Sequence, residues 1–448
     1  MHVPCGSRSL ALTVCAALLL TTVGCGSNED AEELAMPMAV RLYGTDGNMG
    51  NTFGDAFKDQ PGILNGMKGT TPLTPLPAEF KRRLLEVNPK LTATEYAAEA
   101  YDAVVISALA AELAGTTEPK EIAAQINGVT AGGTSCDTVA ACLELARAGK
   151  DLQYRGVSLQ RGGFTDAGEP ATATYATLHF DSNNRINHRR TEFVGAGDES
   201  ATTTLAPPQG RRHASGVTAS EPLRLGGLLP KSGGLASRYP AMAAGVMLAV
   251  REINEAGGVL GQDVQWIDGD DGTSVEVARR TVRSLLAKKV HVIIGAGTSG
   301  VSRAILPDII TAGVVLFSPS DTDAGLSTIE DNGLYFRTAP SDVLQGRALA
   351  NVVLRDGPDK VALVARKDTY GKELQTAVSA ELEKAGLGSD QILLLTYEPP
   401  ADAKSSIDFT AGAEEIKKFG ADAVVLIGYL ESADVIKALL QIGVQLRY

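Results

Sequence analysis

From residue 222 to the end of the chain, strand-sized apolar runs alternate with helix-spaced segments, and this alternation leaves few folds open. Residues 223–229, 264–267, 290–294 and 314–317 read as strands, with helices at 241–254, 275–287 and 302–311. The first of these helices carries Met242, Gly245, Leu248, Val250 and Ile253 at helical spacing, and Gly257-Gly258 stops it. The pattern resumes after Pro340 with helices at 343–354, 371–385, 409–419 and 432–442. Strands at 360–365, 392–397, 423–427 and 444–448 alternate with them. Strands joined by helices make right-handed crossovers, hence parallel sheets covered on both faces. A break at 335–338 divides the run into two such sheets.

The first half reads differently. A strand at 40–44 is followed by Gly-, Asn-, Asp- and Pro-rich loops up to Pro77, then by helices at 78–87, 94–114 and 119–127. Strands are expected at 154–158, 174–180 and 186–193, joined by Gly, Asp and Asn turns. Residues 195–220 are rich in Gly, Ala, Ser, Thr and Pro with few apolar residues, the composition of a linker.

At 448 residues the chain is too long for one core, so two or three domain-sized units are expected. A net charge of -12, with basic clusters only at 188–190 and 211–213, argues against a nucleic-acid partner. Arg8 followed by an almost unbroken apolar run at 10–23 has the form of a signal peptide, the run being too short to span a membrane. Small residues before Cys25 resemble a bacterial lipoprotein cleavage site, with Thr22 where such sites usually carry Leu. Residues 1–24 would then be removed, Cys25 would carry lipid, and 25–34 would form anchor and tether. Cys5 and Cys15 leave with the signal, and Cys136 and Cys142 remain in an oxidising compartment, where a disulfide is expected. The five His are scattered without ligand spacing, so neither a metal nor a cofactor is expected.

Several stretches of the second half carry a resemblance. Leu229 to Gly233, Ala249 to Val259, Ile293-Ile294-Gly295, Ser318-Pro319, Phe336-Arg337-Thr338 and Asp368 to Gly371 resemble the opening of type I periplasmic solute-binding proteins of the branched-chain amino-acid class. The family continues past the point matched by Tyr448, and the front of this chain resembles that continuation. Tyr43 to Gly47 resembles the next family segment, Lys68-Gly69-Thr70 a hinge crossing, and residues 96–103 a later helix. Residues 154–158 and 164–175 resemble the end of the fold. The chain is therefore similar to a circular permutant, with a cropped tandem array as the competing reading. The near-repeat of Val40-Arg41-Leu42-Tyr43 in Val444-Gln445-Leu446-Arg447-Tyr448 fits a cut within one strand.

The resemblance implies an α/β fold of two lobes, each a mostly parallel sheet with helices on both faces, joined by hinge crossings. One lobe would hold 71–158 and 221–338, the other 35–70, 159–198 and 339–448, with 199–220 joining the permuted halves. It implies an exported component of an ABC importer that binds a branched-chain or related amino acid between the lobes, monomeric, partnered by a membrane permease. A free amino acid presents a carboxylate and an ammonium. The carboxylate suits N–H groups and hydroxyls at a helix N-terminus, which the resemblance assigns to Ser299, Gly300, Ser320 and Thr322. Helix capping is the plainer reading of Ser299 and Thr322. Asp46 stands at the family's acidic position for the ammonium, its plainer role being a turn before Gly47. Tyr370, Tyr429 and Tyr239 match aromatic positions, and Arg238, beside the last, could instead meet an acidic ligand side chain.

Gly295-Ala296-Gly297-Thr298-Ser299-Gly300 also fits the dinucleotide pattern G-x-G-x-x-G, with Asp321 about 20 residues on. A nicotinamide-dependent oxidoreductase is thus a second hypothesis. Placement after the third strand, an export signal and the lack of a nearby acid/base His oppose it. Asp268, Asp270 and Asp271 read as a solvated loop rather than a cation site. A sensory module of the same fold, signalling through a membrane partner, is the remaining alternative, followed by a non-functional remnant of rearrangement.

Overall fold

The computed structural model describes residues 39–210, 221–400 and 405–447, so the signal, Cys25, the tether, Tyr448 and 211–220 lie outside the described residues. In chain order the strands are β1 (Ala39–Gly44), β2 (Lys68–Pro72), β3 (Thr134–Cys136), β4 (Leu152–Tyr154), β5 (Thr172–His179), β6 (Glu192–Gly197) and β7 (Arg224–Leu228). Then come β8 (Gln265–Ile267), β9 (Val292–Gly295), β10 (Val315–Ser318), β11 (Tyr335–Arg337), β12 (Val361–Arg366), β13 (Ile392–Tyr397), β14 (Ala423–Ile427) and β15 (Gln445–Leu446). The helices are α1 (Asn51–Gly54), α2 (Ala78–Val87), α3 (Ala97–Ala114), α4 (Pro119–Val129), α5 (Val139–Arg147) and α6 (Tyr239–Glu255). They continue with α7 (Val275–Ala287), α8 (Ser299–Ala312), α9 (Asp342–Leu354), α10 (Thr369–Lys384), α11 (Thr410–Phe419) and α12 (Ala433–Gln441).

Two sheets organise the α/β fold. One runs β11-β10-β9-β7-β8, every neighbour parallel. The other runs β13-β12-β14-β1-β2-β5-β6; it is parallel from β13 to β2, and β5 and β6 close it antiparallel. The central strands β12 (VALVAR) and β14 (AVVLI) are apolar almost throughout because helices cover both faces.

The halves of the chain interleave in both lobes. In the larger sheet β1 and β2, from the front, continue directly from β14, from the back. In the lobe of the smaller sheet α3, from the front, is buried along its whole length against α6 and beneath β9 and β10. Its composition explains this: apolar residues and small alanines surround the helix on every side. Gly245 of α6 permits the approach, since a Cβ there would stand 2.1 Å from the Ala97 carbonyl oxygen. The chain passes between the lobes at 73–77, 165–171 and 338–341, and again by way of 198–223.

Arg337 ties two of these passages together. It is fully buried, pairs with Glu169 through Nε at 2.8 Å, and donates through Nη1 to the carbonyl of Asp323 at 2.8 Å.

Elsewhere the structure departs from expectation in instructive ways. The strand expected at 186–193 begins only at Glu192, because the Asn187 side chain accepts from Arg189 N and sets a 3-10 turn at His188–Arg190. That strand runs on to Gly197, taking residues assigned to the linker. The described part of 199–220 is not a free tether. Thr203 N donates to Phe164 O at 2.7 Å, Gln125 reaches Pro208 O at 3.0 Å, and Pro207 abuts Gly128 of α4. Leu159 and Phe164, assigned to the larger-sheet lobe, are buried in the core beneath β9 and β10. Residues 68–70 lie within the sheet as the start of β2, and the crossing follows Pro72.

The expected terminal strand pairs only at Gln445 and Leu446, opposite Ala39 and Val40. Arg41 N donates towards β14, so the Val40 carbonyl points to the opposite flank, and there it accepts from Arg447 N at 2.8 Å. The strand beginning at Ala39 thus holds the central slot, and its near-repeat docks beside it. Cys136 and Cys142 are joined with sulfurs 2.12 Å apart, and Thr138 caps α5 between them.

Candidate functional site

Open α/β sheets bind ligands beyond the carboxyl ends of their strands, and here two such ends face each other. After β1 the chain turns through Asp46. Asn48 fixes this turn: its Oδ1 accepts from Thr45 N at 2.9 Å, and its Nδ2 donates to Leu426 O at 2.9 Å and Ser432 Oγ at 3.1 Å. Gly47 lets the turn lie against the end of β14, where a Cβ would stand 2.4 Å from Gly428 O.

The Asp46 carboxylate collects donors from three distant segments. Gln345 Nε2 and the Tyr370 hydroxyl each reach Oδ1 at 2.8 Å, and the Tyr96 hydroxyl reaches Oδ2 at 2.9 Å. The Tyr370 hydroxyl, having donated to Asp46, accepts from Thr45 Oγ1 at 2.9 Å. A carboxylate has about four acceptor positions, so one on Oδ2 remains for a cation such as an ammonium. Tyr370 and Tyr429 stack with ring centroids 5.5 Å apart, and the Arg366 guanidinium lies 3.8 Å over the Tyr429 ring.

The facing wall is built locally, from the loop between β9 and α8. Asp271 accepts from Thr273 N and Gly297 N, each at 2.6 Å, which fixes the loop; burial pushes its carboxyl up to about 7. Ser299 Oγ accepts from Thr322 N and Asp323 N, both at 3.2 Å, so its own proton is free to point into the cleft. Ser320 Oγ donates to Gly297 O at 3.2 Å. Thr322 Oγ1 lies 3.0 Å from Asp342 Oδ2, whose carboxyl is held well above the usual range by burial and then by the Asp46 charge. The first N–H groups of α8 have no partner within the helix and carry its positive end.

Between the walls is a small cavity with about 20 Å³ for the centres of water molecules, and every lining residue is buried. Asp46, Ser299, Ser320, Thr322, Tyr370 and Tyr429, all singled out from sequence, line it together. Gly300 and Tyr239 do not. Gly300 stands one position further into α8. Arg238, one residue earlier, occupies the helix start facing the cavity, and Tyr239 is turned about 100° around the axis. The Tyr239 hydroxyl is 3.5 Å from Asp268, and Lys231 stands 5.5 Å from its ring centroid.

Sequence reasoning placed Tyr96 only on a helix. It adopts φ 63° immediately before α3, a conformation that no residue pattern announces, and this swings its hydroxyl onto Asp46. Met242 and Leu235 also line the cavity. The aspartates of 268–271 are each engaged by neighbours: Asp268 by Lys231, Asp270 by Ser232 and Asp271 as above. No group of His, Cys, Asp and Glu among the described residues is placed to hold a metal ion. Asp321, the acidic residue of the dinucleotide pattern, is fully buried and accepts from the Tyr335 hydroxyl on its Oδ2 at 3.1 Å.

The chain is similar to several known proteins. The Leu/Ile/Val-binding protein homolog 3 of Brucella melitensis is 29% identical over 210 residues, covering 46% of this chain and 54% of that protein. The leucine-, isoleucine-, valine-, threonine- and alanine-binding protein of Pseudomonas aeruginosa is 26% identical over 217 residues, 48% of this chain and 56% of its own. Among solved structures, the branched-chain amino acid transporter substrate binding protein of Streptococcus pneumoniae in complex with isoleucine is 28% identical, with a TM-score of 0.39. That match covers 47% of this chain and 57% of that one. The chain spans about half the length of the curated relatives it matches. A family profile described as periplasmic binding protein matches residues 222–448, half of the sequence. This chain therefore belongs to the periplasmic binding protein family, a family of solute binders rather than enzymes.

Proposed function

We propose that this chain is the extracytoplasmic binding component of an ABC importer and takes an amino acid between its two lobes, on a circularly permuted framework. One observation carries the reading: a buried cavity joins Asp46, with one acceptor position left, to the hydroxyl of Ser299 and the start of α8. A zwitterion needs an anion and an anion-binding helix end a few ångströms apart, and the cavity supplies both. The branched-chain or related class of ligand is suggested by the relatives' names. Export and lipid anchoring at Cys25 are suggested by residues 1–27. The permuted reading draws support from β1 lying between β14 and β2, and from the near-repeat beside it.

The test is a thermal melt of the purified chain against the twenty amino acids, with its mass in solution measured alongside. At least one amino acid should raise Tm in proportion to the logarithm of its concentration, on a monomer. A chain stabilised by none of them would sink the proposal. A dimer that binds would replace the monomeric permutant with a swapped pair.

A further inference from the structure

Resting on the amino-acid reading above, we infer that Asp342 stands beside the cavity as a neutral acid. By donating to Thr322 it turns that hydroxyl's own proton towards the ligand carboxylate. Asp342 is thus a positioning residue, acting through Thr322.

Two carboxyl groups share this part of the molecule, and their partners differ. Asp46 takes donors from Gln345, Tyr370 and Tyr96, the surroundings of an ionised carboxylate. Asp342, at the first position of α9, is fully buried and has one side-chain partner, Thr322 Oγ1, 3.0 Å from its Oδ2. Among the described residues its Oδ1 has none. A buried charge with so few donors is costly, whereas the carbonyl oxygen of a neutral acid is left unpaired at far smaller cost.

The charges around Asp342 are divided. Asp46, from the turn after β1, and Asp323, from the loop after β10, oppose a further negative charge. Arg337 of β11 and the positive end of α9 favour one, but Arg337 is already paired with Glu169. Tyr175 of β5 and Tyr370 of α10 face it as neutral phenols. Burial, then the Asp46 charge, prevail and hold the Asp342 carboxyl well above the usual range.

Hydrogen-bond accounting then sets a direction. The acid proton of Asp342 goes to Thr322 Oγ1, so that oxygen accepts. The single proton of Thr322 is left without an acceptor among the described residues, and Thr322 lines the cavity. Ser299 is set in the same way, its Oγ accepting two amides. An ionised Asp342 would instead take the Thr322 proton, and a ligand carboxylate would meet lone pairs rather than a donor.

One arm of the test needs no ligand. At neutral pH, the infrared spectrum of the chain minus that of Asp342→Asn should show the carbonyl stretch of a carboxylic acid. Carboxylate bands alone in that difference would overturn the inference. The other arm is calorimetric titration with the amino acid that stabilises the chain most. Asp342→Ala, which leaves Thr322 unheld, should weaken binding roughly 2–10-fold. Asp342→Asn, whose amide donates in the acid's place, should recover most of that loss; Asp342→Asn binding as weakly as Asp342→Ala would overturn the inference. Should the variants fail to fold, the unaltered chain decides. Its affinity should hold or weaken from pH 6 to pH 8.5, because the acid form is lost as pH rises, and a gain in affinity would overturn the inference. If no amino acid binds, the function proposed above falls, while the infrared band still decides the state of Asp342.

Discussion

The two walls of the cleft are made in opposite ways. The Ser299 wall is local: Gly297 to Ser299 and Ser320 to Asp323 follow adjacent parallel strands and are held by backbone amides within about 25 residues of one another. The Asp46 wall is assembled from afar, with Tyr96, Gln345 and Tyr370 standing 50, 299 and 324 residues from the carboxylate they hold. A local wall survives if its strand–loop–helix unit forms. The other needs α9 and α10 of its own lobe and, in addition, Tyr96 brought up from the facing one. Reordering a chain therefore endangers the two walls unequally.

The largest effect expected comes from breaking what keeps the passages together. Glu169→Ala leaves Arg337 buried without its anion, which costs about 3–5 kcal/mol. Urea denaturation should show a correspondingly lowered midpoint with little change in slope. A loss under 1 kcal/mol would mean that the passages do not depend on this pair.

Next is Asp46→Asn, which removes the charge a ligand ammonium would meet. A hydrogen bond to a charged group contributes about 1.5–3 kcal/mol, or roughly 10–150-fold in Kd. Ser299→Ala removes a neutral hydroxyl, about 0.5–1.5 kcal/mol or roughly 2–10-fold, and also deprives Thr322 N and Asp323 N of an acceptor. Titration with the best ligand of the melt compares them. If Ser299→Ala proves more damaging to affinity than Asp46→Asn, the contrast between the walls is reversed.

The difference in construction also decides what could be read from sequence. The α8 wall was legible because strand, Gly-rich turn and Ser occur in order within a few residues, although Ser299 holds the 322–323 loop rather than capping its own helix. The parallel core was legible for the same reason: runs such as 423–427 announce strands covered on both faces. Asp46 was found through its resemblance to a family position, not through its neighbours. Tyr96 gave no sign, since a left-handed tyrosine before a helix has no composition of its own, and its partner lies in another lobe. Tyr239 was misplaced because one residue along a helix is about 100° of rotation, enough to exchange the cavity for Lys231 and Asp268.

The smallest expected effect concerns pH and separates the lobes again. Glu99, buried at the start of α3, has its carboxyl pushed up to about 8, chiefly by burial. Between its ordinary value near 4.5 and about 8, the folded chain keeps a proton that the unfolded chain has released. This contribution to stability is therefore present at low pH and is lost as pH rises through that window. His291, lowered to about 4 by burial, acts in the opposite sense below about 6.5. Tm measured from pH 6 upwards should fall towards pH 8.5, and Glu99→Gln should flatten that fall. An unchanged slope in the variant would assign the pH response to other groups, such as Asp271.

The closed grip on Asp46 also sets a clock. Tyr96 and Arg238 reach Asp46 from the facing lobe, and every residue lining the cavity is buried. A solute seated there cannot leave one contact at a time; it waits until those bonds break and the lobes part. Residence time would then follow the rate of opening rather than the strength of any single ligand contact. Substitutions at Glu95, which holds Arg238 from outside the cavity lining, would shorten its stay.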